Sequence, residues 1–171
     1  MEQTESEFPT FYSRGVYQMM TSSRGILFGL GLIASLVLGG CATGQSFSEM
    51  KSSIPNLSPG VGRIYFYRTS MYGAAYRPEV QLNGTVVGTA VSKGFFFVDK
   101  EPGSYRVGVG AQGDALNLTL NAGQTLYVRT SIAGFFPVLV WVASLIDNST
   151  AQTEIDDVKY VGGDLSPAGA K

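Results

Sequence analysis

The 171-residue sequence predicts a mainly β protein. The expected fold is an antiparallel β-sandwich of about seven short strands, with one short apolar helix near the C-terminus and an apolar leader ahead of the folded part. Three observations predict it. Short runs from Arg63 onward alternate apolar and polar residues, the mark of strands with one face in a core. Turn signals separate those runs about every ten residues, as in sandwiches and small barrels. One continuous apolar run, 135–146, breaks the alternation.

The leader spans residues 1–40. Residues 25–40 are uncharged and largely apolar, with Arg24 before them and Cys41, the single cysteine, after them. A basic flank, an apolar core and small residues before a cut site describe a secretory signal. The run is shorter than the about 20 residues of a spanning helix. An uncleaved signal anchor with a structural cysteine is the alternative. Leu38-Gly39-Gly40-Cys41 resembles the lipobox of bacterial lipoproteins. That resemblance implies acylation of the Cys41 thiol, cleavage just before it, and acylation of the new amino terminus, and so a cleaved lipoprotein signal. One cysteine forms no internal disulfide, and a lipid accounts for it. Residues 1–19 fit poorly, because Glu2, Glu5 and Glu7 precede the apolar core. Met19 or Met20 is the better start.

Residues 41–60 follow as the lipidated cysteine and a tether, rich in Ser, Gly and Pro and flexible by composition. Its 19 residues after Cys41 reach at most roughly 60 Å when extended. The domain is expected over 61–171. In Arg63-Ile-Tyr-Phe-Tyr-Arg68, Ile64 and Phe66 share one face and Arg63, Tyr65 and Tyr67 the other, a half-buried strand. Val80 and Leu82 alternate with Glu79 and Gln81, and Asn83-Gly84 leads into Thr85-Val-Val87. Asn-Gly between such runs is the strongest short hairpin signal, because both turn residues tolerate positive φ. Residues 95–98 form another run. Pro102-Gly103 predicts a type II turn into 105–109. Leu116, Leu118 and Leu120 alternate, residues 121–124 turn, and 126–130 return. Residues 135–146 are apolar all round and contain Trp141. Pro137 suits a first helical turn, so a short helix is expected there. It is either packed in the core or in contact with the membrane or a partner through Phe135, Phe136 and Trp141. Residues 154–161 predict one last strand.

Three pieces now combine: Gly62-Arg-Ile-Tyr-Phe-Tyr-Arg68, Arg77-Pro78 with Leu82-Asn-Gly84, and Phe96-Phe-Val-Asp99 with Pro102-Gly-Ser-Tyr105. Together they resemble a family of small bacterial lipoproteins carrying a domain of unknown function, DUF2846, over roughly Pro59 to Arg129. The resemblance implies an envelope location and a β-sandwich. It carries no activity, and the run after Gly134 lies outside the pattern. Lipoproteins of enteric type keep an aspartate after the lipidated cysteine for inner-membrane retention. Ala42 there implies the outer membrane, facing the periplasm.

Composition narrows the chemistry. There are 0 histidines, which removes the commonest base and metal ligand. No metal and no cofactor is expected. Ser92-Lys93 is adjacent in a turn and has no dyad geometry. Gly108-Val-Gly-Ala-Gln-Gly113 matches a dinucleotide motif by letter, but a strand pattern follows where a helix is needed. Asp156-Asp157 reads as a solvated edge more readily than a calcium site. From Cys41 onward, positive and negative charges balance, so no basic field exists for nucleic acid. A candidate binding surface remains: Arg63, Tyr65 and Tyr67 on one strand, Tyr127 and Arg129 on another, a Tyr/Arg patch if the strands are neighbours. Ordinary cross-strand pairing is the alternative. The expectation is a non-catalytic, membrane-anchored lipoprotein, a structural or interaction module with an envelope-protein or cell-wall partner. The alternative is a module binding cell-wall glycan or a small apolar ligand.

Overall fold

The computed structural model describes residue 42 and residues 44–111, 115–135 and 138–162. Nine strands form two sheets. The strands are β1 (Gly62–Arg68), β2 (Glu79–Leu82), β3 (Thr85–Thr89), β4 (Gly94–Lys100), β5 (Gly103–Val109), β6 (Leu116–Leu120), β7 (Thr125–Phe135), β8 (Val138–Ile146) and β9 (Lys159–Tyr160). Two helices, α1 (Phe47–Met50) and α2 (Asn148–Ile155), complete it. One sheet has the order β8-β7-β1-β4-β9, the other β3-β2-β5-β6.

The core lies between the sheets. Ile64 and Phe66 of β1, Phe96 of β4 and Val128 of β7 meet Val80, Leu82, Val107, Val109, Leu118 and Leu120 of the smaller sheet. Each large side chain so buried contributes about 1.5–3 kcal/mol. The period-two alternation that marks these strands in sequence comes from this layer. The Asn83-Gly84 hairpin forms as expected: φ is 51° at Asn83 and 80° at Gly84. The Asn83 side chain accepts from the Arg106 N–H at 2.8 Å, which ties the turn to β5.

Several expectations are corrected. The sheets are not purely antiparallel, since β1 pairs β7 and β4 pairs β9 in parallel. Gly103 has no positive φ and opens β5, so Pro102-Gly103 makes a bend rather than a type II turn. Tyr105 Oη closes that bend by donating to the Glu101 carbonyl at 2.7 Å. The run 135–146 is no helix. Its described part is β8, paired with β7 from Phe135↔Val138 to Tyr127↔Ile146. Val138, Val140 and Val142 are β-branched, lose side-chain freedom in a helix, and fit a pleated surface. Pro137 and Phe136 lie outside the described residues. The helix falls later, at α2, where the Asp147 side chain caps it by accepting from the Thr150 N–H at 3.0 Å. The last strand shrinks to the two residues of β9.

The expected tether also differs. Ser46 starts α1 with a capping box: its hydroxyl accepts from the Glu49 N–H, and Glu49 Oε2 accepts from the Ser46 N–H at 2.6 Å. Phe47 and Met50 are then buried against the outer face of the larger sheet. Part of residues 41–60 therefore belongs to the folded body.

Candidate functional site

The parallel pairing of β1 and β7 brings the Tyr/Arg residues together. Tyr65 sits opposite Tyr127, and Tyr67 opposite Arg129. The Tyr65 and Tyr127 rings stack at 5.1 Å, 9° from parallel. The expectation of neighbouring strands holds, but the expectation of an exposed patch does not. Tyr65, Tyr67 and Tyr127 are 5%, 1% and 6% exposed. Phe47 and Met50 of α1, Ala151 and Ile155 of α2, and Val158 cover this face and make it a second core. β1 is thus buried on both sides, not half-buried.

The polar ends of this face are all engaged. Arg63 grips Asp99 with both ends of its fork, at 2.6 and 2.8 Å, and donates to the Pro55 carbonyl at 2.9 Å. Its guanidinium lies 4.3 Å from the Phe97 ring centre. The bond to Asp99 holds the Arg63 pKa above its ordinary value. Tyr67 Oη donates to Glu154 Oε2 at 2.6 Å, and Arg129 Nη1 donates to Glu154 Oε1 at 2.6 Å. Burial, reinforced by Glu154, pushes the Tyr67 phenol up, and burial also raises Tyr65 and Tyr127. These phenols stay protonated near neutral pH, and Tyr67 acts as a donor. What remains open is a cleft of about 300 Å³ at the edge of the helical layer, where Phe47, Ile54, Arg63, Tyr65 and Tyr127 present their rims.

The apolar group expected at a membrane or partner is divided. Trp141 packs on the core between the sheets, with the Arg68 guanidinium 4.9 Å from its ring centre. It is half-buried there, packed against the core. Phe135 closes the β7–β8 ribbon opposite Val138. Phe136 lies outside the described residues, as do Cys41 and the lipobox residues Leu38, Gly39 and Gly40. The chain that leaves Cys41 is described. The Ala42 N–H donates to the Ser92 carbonyl at 3.2 Å. The Tyr160 N–H donates to the Gln45 carbonyl at 2.8 Å, and Ser46 bridges Lys159.

Sequence reasoning missed Arg68, Asp99 and Glu154. Arg68 is fully buried and donates to the carbonyls of Tyr72, Tyr76 and Ala90. The available signal was an arginine directly after the aromatic run Tyr65-Phe66-Tyr67. Glu154 gave none, because its partners lie far away in the chain. No cluster able to hold a metal ion occurs among the described residues, and no helix there is long and apolar enough to cross a membrane.

Two facing sheets, one covered on its outer side by helices, define a β-sandwich-like domain. Residues 58–140 match the family described as "Protein of unknown function (DUF2846)". The match runs past Arg129 into β8, beyond the span expected from the motifs. No curated protein and no solved structure matches the chain.

Proposed function

We propose that this protein is a non-catalytic, membrane-anchored lipoprotein, a structural or interaction module of the bacterial cell envelope. Acyl chains on Cys41 hold it to a membrane, the outer one, where the domain faces the periplasm and meets an envelope-protein or cell-wall partner. The observation that carries the reading is Leu38-Gly39-Gly40-Cys41 at the end of an uncharged apolar run, with Cys41 the single cysteine of the chain. Several acyl chains together hold firmly, whereas one binds only reversibly. The absence of histidine from the sequence supports a non-catalytic role.

Growth with an alkyne-tagged palmitate tests the anchor. The wild-type chain takes up the tag and bands with outer-membrane vesicles in a density gradient, and Cys41→Ser does neither. A wild-type chain that stays unlabelled sinks the reading.

The cleft beside Tyr65 and Tyr127 favours a second reading, a module that binds cell-wall glycan or a small apolar ligand there. Aromatic rims and an arginine suit either ligand. Sedimentation with isolated peptidoglycan, lost on Ile54→Asp at the rim, supports it. Equal sedimentation of both chains removes it.

A further inference from the structure

We infer that one end of the sandwich, the loop 70–77 together with Val138 at the start of β8, lies on the bilayer surface, with Met71, Tyr72 and Tyr76 in the lipid interface. The inference rests on the lipoprotein reading and adds an orientation and a contact surface to it.

The path of the chain next to Cys41 comes first. Ala42 is joined to Cys41 by one peptide bond, a Cα separation of about 3.8 Å. The Ala42 N–H is bonded to the Ser92 carbonyl at 3.2 Å, and Ser92 Oγ donates to the Ser70 carbonyl at 2.7 Å. Two hydrogen bonds therefore link the residue after the lipid site to the start of the loop. From Gly44 onward the chain is held again. The Gly44 backbone packs on the Tyr160 carbonyl so closely that a Cβ has no room, and the Phe47 N–H donates to the Val158 carbonyl at 3.0 Å. Acyl chains on Cys41 thus bring this end of the domain to the membrane.

Four of the six large apolar side chains exposed among the described residues lie at that end, Val86 and Leu145 being the others. Met71, Tyr72 and Tyr76 are 57%, 52% and 58% exposed, and Val138 at the ribbon tip is 67% exposed. Ile132 of the ribbon packs on Gly73, which joins the two pieces. Buried Arg68 fixes the loop by donating to the Tyr72 and Tyr76 carbonyls. Tyrosine, with an apolar ring and a polar tip, concentrates at membrane–water interfaces. Arg77 and Lys93 are exposed at the same end, where cations face lipid phosphates.

The opposite end supplies a control. The 121–124 turn is tied to the start of β1, since the Gly123 N–H donates to the Val61 carbonyl at 2.8 Å. The seven residues of β1 put about 20 Å between the two ends. With Cys41 acylated, a single introduced cysteine is the one free thiol. The acylated full chain carrying Tyr72→Cys, Tyr76→Cys or Ala122→Cys is labelled with a nitroxide. It is then reconstituted in vesicles of phosphatidylethanolamine with a minor share of phosphatidylglycerol. Expected is several-fold higher collision with oxygen, and lower collision with a water-soluble nickel complex, at 72 and 76 than at 122. Labels at 72 and 76 as water-exposed as the label at 122, on protein that floats with the vesicles and carries acyl chains by mass, overturn the orientation and leave the lipoprotein reading standing. A chain without acyl chains overturns both.

Discussion

Arg68 is a charge with no solvent contact, and its hydrogen bonds go to main-chain carbonyls on two segments. Burial lowers its pKa, and its Nε has no partner among the described residues. The Trp141 ring beside it offsets part of the cost. Arg68→Met fits the space but orphans three carbonyls, each a lost bond of about 1 kcal/mol or more. We expect a loss of about 2–3 kcal/mol in denaturant unfolding and faster amide exchange in 70–77. Unchanged exchange contradicts its role in fixing the loop. Asp147 acts at the surface. Its hydrogen bonds to Ser149 and to the Thr150 backbone hold its pKa at about 2, below the ordinary 3.8. A depressed carboxylate stabilises the folded state above its unfolded pKa and loses that contribution as pH falls through the folded one. Thermal stability should therefore fall between about pH 4 and pH 2. Asp147→Asn, still an N-cap, should show a shallower fall. Glu49, also lowered by its bonds to Ser46, supplies a parallel slope. An identical pH profile for wild type and Asp147→Asn contradicts the assignment. At this scale the sequence named the Tyr/Arg residues but not their state. Periodicity places side chains on a face, and only distant residues such as Phe47 and Ile155 decide whether that face is wet.

Among the elements, β1 shows how a helical layer changes a strand. Its inner face follows ordinary alternation, and its outer face is buried because α1 and α2 fold back across it. Phe47 meets Tyr65 edge-on at 5.6 Å and Phe95 at 5.4 Å, geometries worth about 0.5–1.5 kcal/mol beyond burial. Phe47→Ala should cost about 3–5 kcal/mol and Met50→Ala about 2–5 kcal/mol in denaturant unfolding. A free tether predicts no change for either, and that result contradicts the docked helix. The hairpin at Asn83-Gly84 and strands β1 to β6 were legible because alternation and turn chemistry are local. β8 was not. A short apolar run reads equally as a buried helix or a strand, and its pairing with β7 settles it. The α1 segment hid behind a polar composition with only Phe47 and Met50 to mark it.

For the whole molecule, the two ends of the sandwich differ. One carries the polar turns 83–84 and 121–124, and the other carries the exposed aromatic loop and the chain leading back to Cys41. With charges balanced from Cys41 onward, no long-range field holds the domain at a surface, so the proposed attachment rests on the lipid. The sheet count and the mixed pairing escaped the sequence because parallel partners such as β1 and β7 lie far apart along it. The proposed lipid site rests on a contiguous motif, which sequence alone can offer. The most direct test of the account is the intact mass of the protein extracted from the membrane fraction, set beside Cys41→Ser. The account predicts the mass of residues 41–171 plus acyl chains, with the Cys41→Ser chain retaining its leader. A wild-type mass that includes residues 25–40 and no acyl chains contradicts it and makes the leader a signal anchor.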